Sequence, residues 1–162
     1  MKKIIIALAA VIAVCAALCA CSGLESSSSG GKSGKALSEI WSDIKDEVEF
    51  KDFSEFQDIK RLNRSYGITE DMAEEFAGGV NSTGVNQEEV VLVKAKDEDS
   101  AKEIEEKLNA KLESKLNQNK NYNPEQAKMM DGCKVEKDGL YVSLIVSENR
   151  EKITEIYKNG IK

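Results

Sequence analysis

The chain has 162 residues with 29 acidic and 23 basic side chains, a net charge of −6, and no histidine. Without an imidazole, Ser-His-Asp and Cys-His catalysis and the usual His-containing zinc sites are excluded. An acidic chain is also ill suited to nucleic acid, whose phosphates must be met by Lys and Arg; the one basic cluster, Lys60 to Arg64, is a short solvated patch.

Lys2 and Lys3 precede a continuous apolar run, Ile4 to Leu18, and small residues follow it. These are the three parts of a cleavable export signal, and the alanine-rich run lacks the basic flank of a stop-transfer segment. The next letters, Leu18-Cys19-Ala20-Cys21, resemble the lipobox of bacterial lipoproteins. That resemblance implies cleavage between Ala20 and Cys21 and a diacylglyceryl group on the Cys21 thiol. Two acyl chains hold a protein on a membrane stably, whereas one binds reversibly, so Cys21 is expected to be an anchor. Removal of residues 1–20 takes away two lysines and no acid, which moves the charge from −6 to −8. It also leaves Cys133 as the single thiol beyond the anchor, so no intramolecular disulfide is expected in the folded part.

Residues 22–35, rich in Ser and Gly, read as a flexible tether with a mean reach of about 20 Å. Gly31-Lys32-Ser33 imitates the end of a phosphate-binding loop, but Ser26 stands where the loop requires glycine. A single domain is expected over 36–162. It opens with an amphipathic helix in which Leu37, Ile40, Trp41, Ile44 and Val48 recur at helical spacing, which places Trp41 in the core. Ser42 to Lys45 matches an S-x-x-K string without its companion motifs. Residues 51–71 lack a clear period and read as an irregular or partly helical connection that packs its aromatics on the core.

Residues 74–81 and 88–96 read as two strands joined at Ser82-Thr83-Gly84. In the second, Val91, Val93 and Ala95 face one side, and Val90, Leu92 and Lys94 the other. Gly78-Gly79 signals a bulge or a close backbone approach. A long helix follows, with Asp97 to Ser100 as its cap, a capping-box spacing at Ser100 to Glu103, and a stripe of Ala101, Ile104, Leu108, Leu112 and Leu116. The acids at 97–99 lack the spacing and glycine of a calcium loop. Asn123-Pro124 starts a short helix that ends at Asp131-Gly132. Residues 133–147 read as a hairpin turning on Asp138-Gly139, with Cys133 buried at its start on the face of Val135. A last helix carries Ile153, Ile156 and Tyr157 inward and stops at Gly160.

The expected fold is α+β, in the order α-ββ-α-α-ββ-α, with a four-stranded, mostly antiparallel sheet and helices packed on one face. "YGIT" at Tyr66 to Thr69, "EEVVLVKAKDEDSAKEI" at Glu88 to Ile104, "YNPEQ" at Tyr122 to Gln126 and "GLYVSLIVS" at Gly139 to Ser147 join the lipobox in one pattern. Over roughly residues 36–159 the chain resembles a group of small lipoproteins of low-GC Gram-positive bacteria, a domain of unknown function. The resemblance implies an envelope location and no particular activity, so it transfers no functional residues.

Two function classes remain open at this point. One is a non-enzymatic binding or accessory domain on the outer face of the cell membrane, held by lipid on Cys21, with an envelope protein or ligand as partner. No catalytic residue, cofactor or metal is expected on this reading. The other is an enzyme working with carboxylates alone, for example on glycans, and a small-ligand carrier is a further alternative. The adjacent pairs Glu74/Glu75 and Glu88/Glu89 sit on strands where neighbours alternate faces, so neither pair is expected to converge.

Overall fold

The computed structural model describes residues 34–162. Its elements are helix α1 (Leu37–Glu47), strand β1 (Phe53–Glu55), helix α2 (Ile59–Tyr66), strands β2 (Ala73–Asn81) and β3 (Glu89–Ala95), helices α3 (Glu98–Tyr122) and α4 (Pro124–Met130), strands β4 (Val135–Asp138) and β5 (Tyr141–Val146), and helix α5 (Arg150–Gly160). The strands form one antiparallel sheet in the order β1-β2-β3-β5-β4. The fold is therefore α+β, as expected, but with a fifth strand and with helices on both faces.

Both corrections have physical reasons. In β3, Val90, Val91, Leu92 and Val93 are all fully buried. A strand that is apolar on both sides needs cover on both faces. Val91, Val93 and Ala95 pack with Leu62 and Tyr66 of α2, with Ile104 and Leu108 of α3, and with Met130 of α4. Val90 and Leu92 pack with Leu37, Ile40, Trp41 and Ile44 of α1 and with Ile153 and Tyr157 of α5. The fifth strand, β1, is three residues long, too short to display a period. It is held by pairing with β2 and by Phe53, whose ring lies 5.8 Å from that of Trp41.

The supposed connection at 51–71 also holds α2. Asp58 accepts a hydrogen bond from the Arg61 amide, and Gly67 closes the helix in the left-handed region at φ +71°. Both capping signals are present in the sequence, but eight residues are too few for the apolar period to stand out. The longer helices start where expected, with one shift. Asp97, not Ser100, caps α3, and the Ser100 amide donates to its carboxylate at 2.7 Å. Ala101, Ile104, Leu108 and Leu112 are buried and Leu116 partly so. Asn123 caps α4, and Pro124 occupies its first turn. No described helix is long and apolar enough to cross a membrane.

Two chain reversals are set differently from the sequence reading, and one glycine gains a further use. Asp138 pairs with Tyr141, so Gly139-Leu140 forms the loop, with Gly139 at φ +56°. Helix α5 ends at Gly160, where the sequence reading stops it. A Cβ there would lie 2.6 Å from the Ile40 side chain, so its use is close packing of α5 on α1. Cys133 precedes β4 and is half-buried rather than buried, because the chain is still turning at Gly132, φ +73°.

The glycine pair in β2 does mark a close approach. Gly78 has φ +110°, and a Cβ there would collide with the Val90 carbonyl oxygen; a Cβ on Gly79 would lie 2.5 Å from the Ser54 carbonyl. Both neighbours are backbone and cannot move without separating the strands. Gly78→Ala is expected to destabilise the domain by about 3 kcal/mol, combining backbone strain with loss of strand pairing. A lowered urea midpoint checks this, and an unchanged midpoint would contradict the close approach.

Candidate functional site

Ala20 and Cys21, the residues singled out for cleavage and lipidation, lie outside the described residues. Of the two carboxylate pairs, Glu88 and Glu89 diverge as expected. Glu88 accepts a hydrogen bond from Ser147 Oγ at 2.6 Å. Glu89 points to the opposite face, under α3. Glu74 and Glu75 behave differently, because a register shift between Ala73 and Glu75 breaks the alternation. Both reach Lys94 Nζ, at 3.2 and 3.5 Å, and Glu75 also accepts from the Leu37 amide. The pair converges after all, yet on a neutralising lysine and not around a substrate space.

Glu89 has no solvent exposure. Its Oε2 accepts from Tyr66 Oη and from Lys115 Nζ, each at 2.7 Å, while its Oε1 is buried without a partner. Burial pushes the Tyr66 phenol far above its ordinary range, and the facing carboxylate adds to the effect. Glu89 is closed to solvent and Lys115 only partly exposed, so the group acts on the packing of α2 and α3 against β3. Sequence reading missed it, since nothing local distinguishes Glu89 from the adjacent, half-buried Glu88.

A hollow with an apolar floor lies on the other face of the sheet. Helix α1 covers β2 and β3, and α5 covers β5, which leaves the outer face of β4 bare. There the chain places Glu136 and Asp138. Between this bare strand and α5 runs a cleft of about 460 Å³. Ser143 and Ile145 of β5 form its floor and are 3% and 5% exposed. Helical spacing puts Arg150 and Thr154 in one row and Glu151 and Glu155 in the next, and all four line the wall. Past Glu136, which bonds Lys158 at 2.7 Å and Lys134 at 3.3 Å, a second hollow continues to Tyr157 and Ile161.

Two groups in this region lack the partners expected of them. The Tyr157 hydroxyl is buried and makes no hydrogen bond. Burial raises its ionisation well above the ordinary range; the Ser143 side chain beside it opposes that shift without being aligned as a hydrogen bond. Among the described residues Arg150 has no carboxylate partner, and its guanidinium donates to Cys133 Sγ at 2.9 Å. Among the described residues no group of three or more acids or thiols is placed to hold a metal ion.

The family model described as a domain of unknown function (DUF4358) matches residues 46–147. The chain belongs to that family. No curated protein and no solved structure matches it. The DUF4358 segment contains the five strands, α2, α3, α4 and the Tyr66–Glu89–Lys115 group, together with the floor of the cleft. The cleft wall on α5 lies beyond it.

Lys115→Met is expected to cost about 3–5 kcal/mol, because it leaves the Glu89 carboxylate buried and uncompensated. Adding Glu89→Met should recover most of that loss, which paired urea titrations would show. A second expectation concerns Glu136. Its bond to Lys158 above all holds its carboxyl below the ordinary 4.5; burial opposes this, and the weaker pull of Lys134 adds to the lowering. A depressed folded value stabilises above the unfolded value, and the contribution is lost as pH falls through the folded one. The melting temperature should thus decline below about pH 4.5 less steeply in Glu136→Gln than in the parent, as thermal scans from pH 6 to 3 would reveal.

Proposed function

We propose that this protein is a lipid-anchored domain on the outer face of the bacterial cell membrane, with a binding rather than a catalytic role. The observation that carries the reading is the run Leu18-Cys19-Ala20-Cys21 after an export-type segment, followed by a Ser/Gly-rich stretch. On this reading residues 1–20 are removed, Cys21 bears a diacylglyceryl group, and residues 22–35 tether a domain spanning 36–162. The start of the described domain suits such a tether: the Lys35 amide bonds the Gly160 carbonyl at 2.8 Å, so α1 begins against the end of α5.

A binding role is supported by the kinds of groups present. The Glu74/Glu75 pair is neutralised by Lys94, and Glu89 is sealed under α3. Neither resembles the paired carboxylates across an open cleft that glycan hydrolysis needs. The cleft beside α5 favours a small-ligand carrier over a purely structural module, since it joins the apolar Ile145 on its floor with the charged side chains of Arg150, Glu151 and Glu155 on its wall.

In cells fed labelled fatty acid, the parent protein should carry label and partition with membranes, and Cys21→Ala should do neither. Label retained by the variant, or a mature parent without lipid, would overturn the anchoring.

A further inference from the structure

We propose that the cleft between α5 and the outer face of β4 and β5 binds a compact zwitterion of the amino-acid class, its carboxylate on Arg150 and its ammonium on Glu151 and Glu155. The proposal rests on the reading of this cleft as a binding site and names what it takes.

The argument begins with Arg150. A guanidinium carries donors in a rigid planar fork that suits a carboxylate bidentately, and a half-buried one ordinarily finds such a partner. Here its side chain is half-buried and meets a single thiol, Cys133 Sγ, which holds the arm in place without supplying a matching carboxylate. A ligand carboxylate would supply it.

A plain anion does not suit the surroundings. The cleft is lined by Lys134 and Arg150 but also by Glu136, Glu151 and Glu155, and the chain as a whole is acidic. Glu136 is committed to Lys134 and Lys158, while Glu151 and Glu155 make no ion pair or side-chain hydrogen bond among the described residues. They stand one turn apart beside Arg150 and Thr154, so unpaired charges of both signs line one short wall. A molecule with both charges on neighbouring atoms meets both, and avoids the repulsion that a lone carboxylate would face.

Size and floor agree. A volume of about 460 Å³ lies in the range of small-molecule sites, about 300–1,000 Å³. Ile145 offers an apolar surface for a short side chain, and the buried Ser143 lines the cleft as a polar neighbour.

The test is equilibrium dialysis of the full chain in detergent micelles against labelled alanine of each hand, with N-acetylalanine and alanine amide as competitors. Saturable binding of alanine is expected, with each singly charged analogue competing at least ten-fold more weakly. Arg150→Gln should weaken binding at least ten-fold. The double change Glu151→Gln, Glu155→Gln should weaken alanine and remove its advantage over N-acetylalanine. Thr154→Trp, on the half-buried wall, should block the cleft while leaving Arg150 in place, and serves if Arg150→Gln does not fold. No saturable binding, equal competition by N-acetylalanine, or full binding by Arg150→Gln and Thr154→Trp would overturn the proposal. Those results would leave lipid attachment at Cys21 untouched, since the fatty-acid experiment reads it separately.

Discussion

Strand β3 is apolar on both sides, and most of the architecture follows from covering it. Val90 to Val93 are fully buried, and each leucine- or valine-sized side chain removed from water contributes about 1.5–3 kcal/mol. One layer of helices can serve only half of these residues. Helices α2, α3 and α4 therefore lie on one face and α1 and α5 on the other, with β3 at the centre of the sheet. The glycines of β2 belong to the same constraint. Gly78 lets β2 close on β3 where a Cβ would strike the Val90 carbonyl.

The same division leaves β4 half covered. Val135 faces inward to the α3 side, while Glu136 and Asp138 face out where no helix lies over them. Charged residues on a short edge strand discourage pairing with another chain, and here they also form one rim of the cleft beside α5. Core and cleft are thus two consequences of one layout: α5 is drawn over β5 by Ile153 and Tyr157, and its adjoining flank, with Arg150, Glu151, Thr154 and Glu155, is left facing the bare strand.

Charge is handled locally in this acidic chain. Lys94 serves two glutamates at the bulge, and Lys45 and the Trp41 indole share Glu55 at 3.0 and 2.9 Å. Lys115 enters the core edge to meet Glu89. The last is the costly arrangement, because both charges lose water, and it is tolerable only through the added Tyr66 bond. Specificity of the α3 register on β3 is what such a buried group contributes best. Arg150 departs from the pattern in having a thiol where the lysines have carboxylates.

The sequence by itself determined the types of the longer elements, the cap at Asn123, the helix stripes, the hairpin strands and membership of DUF4358. Periodicity and capping act within a few residues and are written in order along the chain. Tertiary structure alone decided the rest. The strand at Phe53 to Glu55 exists because β2 offers an edge, and the bulge at Glu74 brings two acids to one lysine. Helices went to two faces, although the alternation of Val90 to Ala95 already held the reason for it. Glu89 met Tyr66 and Lys115 across 23 and 26 residues, and Arg150 met Cys133 across 17. Those encounters depend on which surfaces remain after the core is buried, and no local pattern encodes that remainder.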